Sequence, residues 1–243
     1  MNKSIRITGV WVAVVLTVAT IGVGLWIWLR PAPGSAPKVS HFPVKGLDLS
    51  AHNGDVDFDK VRLAGYEFVY LKSSEGTGFK DSRFERNAAA ARKAGLKVGA
   101  YHFFRFDSPA YMQALNLIHT VRMQQLDLPL VIDIEQWTNP TGHSADSVLH
   151  HAAQMAKFLE GQGHKVMFYT NKRGQARWVR RELKKYPLWL CSLTNLDNPE
   201  VCAIWQHSHT GKVDGIKGNV DLNVFCGTRD QWSFWLQQQK QQQ

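Results

Sequence analysis

Residues 97–135 read KVGAYHFFRFDSPAYMQALNLIHTVRMQQLDLPLVIDIE, and this stretch decides the fold class. It opens on a short apolar run over 97–106 and leads into a second over 129–137. Between them, residues 109–126 have the length and patterning of an amphipathic helix. Ser108 before Pro109 is a helix-start signal: a capping side chain, then a residue whose fixed φ and missing N–H suit the first turn. Two short apolar runs joined through a helix form a parallel βαβ unit.

The same rhythm extends in both directions. Further strands are expected at 44–50, 67–73 and 165–171, with helices over 57–65, 82–95, 145–162 and 174–185. Ser82 and Glu85 have capping-box spacing. In the helix over 145–162, Val148, Ala152, Met155, Ala156 and Leu159 share one face. Gly95 and Gly163 fall where helices should stop. Five βα units in a row imply a parallel sheet or barrel. Strands over 187–193, 202–208 and 220–226 follow, separated by only eight and eleven residues. Such gaps are short for helical crossovers, so these strands should pair antiparallel or join by plain loops. A complete eight-unit barrel needs about 250 residues. The region from Val44 to Leu236 is shorter, which fits an α/β, TIM-like barrel of five βα units followed by three β-strands. The tail 237–243 is glutamine-rich and is expected to be disordered.

The amino-terminal segment differs in kind. Residues 9–29 carry no charge over 21 positions. A helix of that length spans roughly 30 Å, the thickness of a bilayer's hydrocarbon core. Lys3 and Arg6 precede it, and Trp26 and Trp28 sit where interfacial aromatics belong. The run exceeds the apolar core of a cleavable signal peptide. Residues 1–30 are therefore expected to form a membrane anchor, residues 31–43 a stiff proline-rich linker, and residues 44–236 the folded domain.

The net charge is +9; residues 1–43 hold four basic residues and no acidic one, leaving the rest at 25 basic against 20 acidic. A mildly basic domain suits an anionic polymer, wall or membrane surface. No zinc-finger spacing, RNA-binding signature or dense basic stripe points to nucleic acid. No glycine-rich phosphate loop follows a strand, so no nucleotide cofactor is expected. His207 and His209 share a strand face by alternation, but two ligands are too few for a metal site, and none is expected. The three cysteines, Cys191, Cys202 and Cys226, allow at most one internal disulfide. Cys191–Cys202 is a candidate outside the cytoplasm; three free thiols are the alternative.

In parallel α/β folds, active sites gather at the carboxyl ends of strands. The polar residues there are Asp48, Lys72, Glu75, Tyr101, His102, Asp133, Glu135, Tyr169, Trp205, Gln206, Asp221 and Asn223. The run Leu130-Val131-Ile132-Asp133-Ile134-Glu135-Gln136-Trp137 is the most informative. Alternation places Asp133 and Glu135 on one face, with α-carbons roughly 6.5–7 Å apart. Two carboxylates that close repel, so one should hold a proton at neutral pH. That is the arrangement glycoside hydrolysis uses, and the spacing leaves both retention and inversion open. Asp48 and Asp221 repeat the theme, and four carboxylates at one barrel mouth are costly unless used.

These segments together resemble glycoside hydrolase family 25, the Chalaropsis-type lysozymes. The matching pieces are Gly46-Leu47-Asp48-Leu49-Ser50, Lys72-Ser73-Ser74-Glu75-Gly76, Ala100-Tyr101-His102-Phe103, Asp133-Ile134-Glu135, Tyr169-Thr170, Ile204-Trp205-Gln206 and Val220-Asp221-Leu222-Asn223. They run over residues 44–227. The resemblance implies cleavage of the β-1,4 bond between N-acetylmuramic acid and N-acetylglucosamine in peptidoglycan. It implies Glu135 as general acid, Asp133 assisting at the substrate's 2-acetamido group, and Asp48 and Asp221 lining the reactive subsite. Tyr101, Tyr169 and Trp205 would contact sugar, with Gln206, Glu75 and Trp137 completing the substrate-binding set. A monomer is expected, and a wall-cutting activity places the catalytic domain 44–236 on the extracytoplasmic side of the anchor. One departure stands after Ser50: Ala51-His52-Asn53 replaces the Trp-Gln or similar aromatic pair of many members. Chitinase-type barrels carry D-x-x-D-x-D-x-E; here Leu128 and Val131 occupy the first two acidic positions, so only Asp133 and Glu135 match.

Overall fold

A computed structural model describes residues 37–240. The membrane-span expectation at residues 9–29 lies outside the described residues. Among the described residues no helix is long and apolar enough to cross a membrane.

The strands are β1 (Lys45–Leu49), β2 (Tyr66–Glu75), β3 (Phe79–Lys80), β4 (Lys97–Phe103), β5 (Leu130–Asp133), β6 (Val166–Asn171), β7 (Leu188–Cys191), β8 (Ile204–Gly211) and β9 (Val220–Phe225). The α-helices are α1 (Phe58–Leu63), α2 (Phe84–Lys93), α3 (Ala110–Val121), α4 (Ala145–Gly161), α5 (Lys172–Trp178) and α6 (Arg229–Lys240). Strand pairing runs β1-β9-β8-β7-β6-β5-β4-β2, and β1 also pairs with β2, which closes an eight-stranded barrel. β3 is a short hairpin partner of β2 outside the ring. Pairing is parallel from β1 through β8. β9 is antiparallel to both β8 and β1. The mixed α/β barrel thus has the expected five βα units and three closing strands. Both expected ways of joining the last strands occur: β7 and β8 are parallel across a loop, and β8 and β9 are antiparallel.

Alternation along each strand sorts side chains into two apolar layers. Phe68 and Tyr70 of β2, Val131 of β5, Met167 of β6, Trp189 of β7 and Ile204 of β8 fill the barrel interior. Their neighbours Val69, Leu71, Ile132, Phe168, Leu190 and Trp205 face the surrounding helices. Strands buried on both faces read as the continuous apolar runs seen in the sequence. Two glycines make room inside: a Cβ at Gly46 would lie 2.2 Å from the Phe68 ring, and one at Gly99 2.2 Å from the Tyr70 ring.

Several local expectations are corrected. Ser82 and Glu85 do not form a capping box: α2 begins at Phe84 behind Arg83, with no side-chain cap. The Asp81 carboxylate intervenes, accepting from Arg83 N at 2.9 Å and Ala51 N at 2.8 Å. Pro109, rather than Ser108, occupies the cap position of α3, which ends at Val121 instead of reaching 126. The helix expected over 174–185 is broken. α5 stops at Trp178, and a 3-10 turn over Arg181–Lys185 follows, entered through Arg181 at φ 50°. The glutamine-rich end is not free chain as far as Lys240. It belongs to α6, whose Trp232 packs on Phe68, Phe225 and Trp235 at ring separations of 5.1–5.4 Å. Residues 241–243 lie outside the described residues.

Candidate active site

The interior layer that packs the barrel becomes polar at the mouth. Moving two residues along each strand stays on the interior face and exchanges an apolar residue for a functional one. Gly46 leads to Asp48, Gly99 to Tyr101, Val131 to Asp133, Met167 to Tyr169, Trp189 to Cys191, and Ile204 to Gln206. On β9, which runs the other way, Phe225 gives way to Asn223 and Asp221. A cleft of about 1260 Å³ opens there, and Tyr101, Asp133, Glu135, Tyr169, Asp221, Glu75 and Trp137 are among its lining residues.

Asp133 ends β5, and Glu135 lies two residues beyond it; Ile134 between them is buried in the outer layer. Asp133 is 6% exposed, and its Oδ1 is buried with no hydrogen-bond partner among the described residues. Burial pushes its carboxyl well above the usual range, and the nearby Glu135 charge adds to this while Lys72 opposes it. Glu135 is also raised by burial; a hydrogen bond from Asn171 Nδ2 to Oε1 at 3.3 Å and the charge on His209 work the other way. Two adjacent acids that both resist ionisation titrate as a pair, so the proton they hold is shared between them.

Asp48 sits behind this pair in a built network. Its Oδ2 accepts from Gln206 Nε2 and Asn223 Nδ2, each at 2.8 Å. Gln206 Oε1 in turn accepts from the Tyr169 hydroxyl at 2.7 Å, and Asn223 Oδ1 accepts from the Trp189 indole at 2.8 Å. Burial, then the Asp221 charge, pushes the Asp48 carboxyl up to about 7, against the lowering effect of its two amide donors. Asp221 Oδ1 lies 3.1 Å from His209 Nδ1, and His209 Nε2 lies 3.5 Å from Cys191 Sγ. The bond to Asp221, followed by that to Cys191, raises His209 to about 10, so it is a cation at neutral pH. On the opposite wall Glu75 is paired with Lys72 at 2.7 Å and lies 3.8 Å from Arg105.

The structure therefore gathers Asp133, Glu135, Asp221, Tyr101, Tyr169, Glu75 and Trp137 at the cleft, with Asp48 and Gln206 in the network beneath. Trp137 is 82% exposed at the rim. Trp205 does not join them. It is 1% exposed, packs edge-on against Phe42 in the outer layer, and donates its indole N–H to Ser192 O at 2.8 Å. The reason is parity: Trp205 adjoins the interior-facing Ile204 and Gln206, so it must face outward. His209, Asn171 and Arg105 line the cleft or touch its acids and were not anticipated. His209 was paired with His207 by simple alternation. The β8–β9 register instead slips between Gln206 and Ser208, so that His207 stays beside Trp205 while His209 enters the cleft. His52, within the Ala51-His52-Asn53 departure, lines the cleft beside Ser50. Among the described residues no group of three or more His, Cys, Asp or Glu side chains could hold a metal ion.

All three cysteines are free thiols. The candidate Cys191–Cys202 pairing is not formed. Cys191 faces the barrel interior and His209, while Cys202 lies in the outer layer beside Cys226.

Comparison with known proteins agrees with this architecture. The sequence profile of glycosyl hydrolases family 25 matches residues 47–216. The autolytic lysozyme of Clostridium acetobutylicum is 32% identical over 185 residues, which are 75% of this chain and 56% of that protein. The chain thus spans little more than half the length of that relative. Lysozyme M1 of Streptomyces globisporus is 30% identical over 210 residues, covering 76% of this chain and 68% of its own length. The solved structure of a family 25 glycosyl hydrolase from Bacillus anthracis superposes with a TM-score of 0.75 at 28% identity, covering 84% of this chain and 99% of that one. With the profile spanning most of the barrel and the carboxylates gathered at its mouth, this chain belongs to glycosyl hydrolases family 25, a family of glycoside hydrolases that includes lysozymes.

Proposed function

We propose that this chain is an N-acetylmuramidase that cuts the β-1,4 bond between N-acetylmuramic acid and N-acetylglucosamine in peptidoglycan. The observation that carries this reading is the Asp133–Glu135 pair on the cleft floor, with Asp133 Oδ1 unpartnered. Glu135, raised by burial, gives its proton to the glycosidic oxygen as the C1–O bond breaks. The acetamido carbonyl of the cleaved sugar attacks C1, and its N–H is held by Asp133 Oδ1. A carboxylate that resists ionisation is the stronger proton acceptor, so Asp133 suits the positive charge that develops on the acetamido nitrogen. An amide N–H at Asp133 favours its charged form and leaves the shared proton on Glu135. Water then opens the intermediate, with Glu135 taking its proton. Tyr169, Gln206 and Asp48 hold the subsite floor in register.

The expected result with purified peptidoglycan is release of new reducing ends. Tight binding of folded protein to the wall with no reducing ends would instead support a glycan-binding module on the same fold.

The alkaline limb of activity reports the loss of the Glu135 proton. Asn171→Ser keeps the cap on α5, because serine also accepts from the helix N–H groups, and removes the donor that lowers Glu135. The limb should move to higher pH in a kcat/KM profile. An unmoved limb would show that Glu135 is not the acid it reports.

The membrane anchor over residues 9–29 completes the proposal, with the barrel outside the membrane and its activity confined near that surface; the expected linker over 31–43 is shortened at its far end, where Val39 and Phe42 pack onto the barrel. The full chain should remain with membranes after alkaline carbonate washing, and deletion of residues 1–30 should release it. Release of the full chain by the wash would remove the anchor from the account.

A further inference from the structure

We infer that Cys202 and Cys226 close a disulfide that clamps the foot of the β8–β9 hairpin, leaving Cys191 as the single free thiol. The two sulfurs lie 3.3 Å apart. Cys202 follows a 3-10 turn over Pro199–Val201 and leads into β8, and Cys226 directly follows β9. The backbone already fixes their approach: Cys226 N donates to Ala203 O at 2.9 Å, and Ile204 pairs with Phe225. Both side chains belong to the apolar layer outside the barrel. Cys191 is on the other side of the sheet, facing the interior. A link from Cys191 to either partner would have to pass through the barrel wall.

The clamp joins residues 24 apart, and the segment it encloses carries Gln206, His209, Asp221 and Asn223. It therefore fixes the hairpin that supplies the network around Asp48. The oxidant is a small-molecule disulfide. The Cys202 thiolate attacks one of its sulfurs, and one thiol leaves. The Cys226 sulfur then displaces the second thiol from the mixed disulfide. Two protein thiols and one disulfide become one protein disulfide and two small thiols. In the reduced pair the hydrogen bond with Cys202, then burial, pushes the Cys226 thiol up; burial persists in the mixed disulfide, so the second step is slow without a catalyst.

The test equilibrates the full chain in detergent with a glutathione buffer in which the oxidised form predominates. A disulfide isomerase is included so that exchange reaches equilibrium. Acid quenching, alkylation and peptide mapping then read the pairing. The expected map shows the Cys202 and Cys226 peptides linked and Cys191 alkylated. The oxidised chain should melt about 5–10 °C above the reduced one, the size expected for a loop of this length. Cys226→Ser should remove both the linked peptide and the shift. Alkylation of both Cys202 and Cys226 at equilibrium, or a linked peptide that contains Cys191, overturns the inference. The redox poise is set in the tube and no glycan is present, so the outcome is independent of the placement and the reaction proposed above.

Discussion

Glu135→Gln should lower kcat/KM on peptidoglycan by about 10²–10⁴-fold, the range associated with one general acid, while leaving the barrel folded. Glutamine keeps the side chain's shape and can still accept from Asn171 Nδ2, but it has no proton to give the leaving oxygen. Substrate affinity should change little, because the loss falls on a step made only in the transition state. Thermal melts and far-UV spectra of the variant check the fold alongside the rate. Wall lysis within a few-fold of wild type in the folded variant would remove Glu135 from the role assigned to it.

Asp133→Asn should lower kcat/KM by about 10²–10³-fold, the scale of one electrostatic contact to developing charge in a dry site. It should also stabilise the protein at neutral pH. The Asp133 carboxyl is held well above its usual range, chiefly by burial. A raised acid favours the native state fully below its unfolded pKa, and this contribution is lost as pH rises through the folded value. Asparagine never ionises, so the variant should lack this pH-dependent loss. Denaturant midpoints of the two proteins should coincide near pH 3 and diverge, in favour of the variant, as pH rises. Loss of activity with loss of stability at neutral pH would mean that the carboxylate is structurally paired.

The barrel was legible because its strands are buried on both faces, which leaves short apolar runs punctuated by helix starts and by Gly95 and Gly163, both at positive φ. The pair Asp133 and Glu135 was legible for the same reason that Trp205 was misread. Alternation puts the two acids together, and applied to Ile204 and Gln206 it sends Trp205 outward. His209 could not be placed by alternation, because the extra residue that β8 carries opposite β9 turns it into the cleft. No local signal in the sequence marks that bulge. The end of the chain misled through composition: four of the residues in 231–239 are glutamines, yet Trp232 and Trp235 anchor the helix under the barrel. The capping box at Ser82 lost to Asp81, whose carboxylate ties the start of α2 to the loop after β1. That long-range bond has no signature in local spacing.

The central claim is that this cleft hydrolyses one particular glycosidic bond. The most direct measurement is digestion of purified peptidoglycan by the full chain, borohydride reduction of the products, and mass spectrometry of the reduced ends. The account predicts that the newly formed ends are muramitol and that they are absent with Glu135→Gln. Ends reduced to N-acetylglucosaminitol, or no chain cleavage by folded wild-type protein, would contradict it.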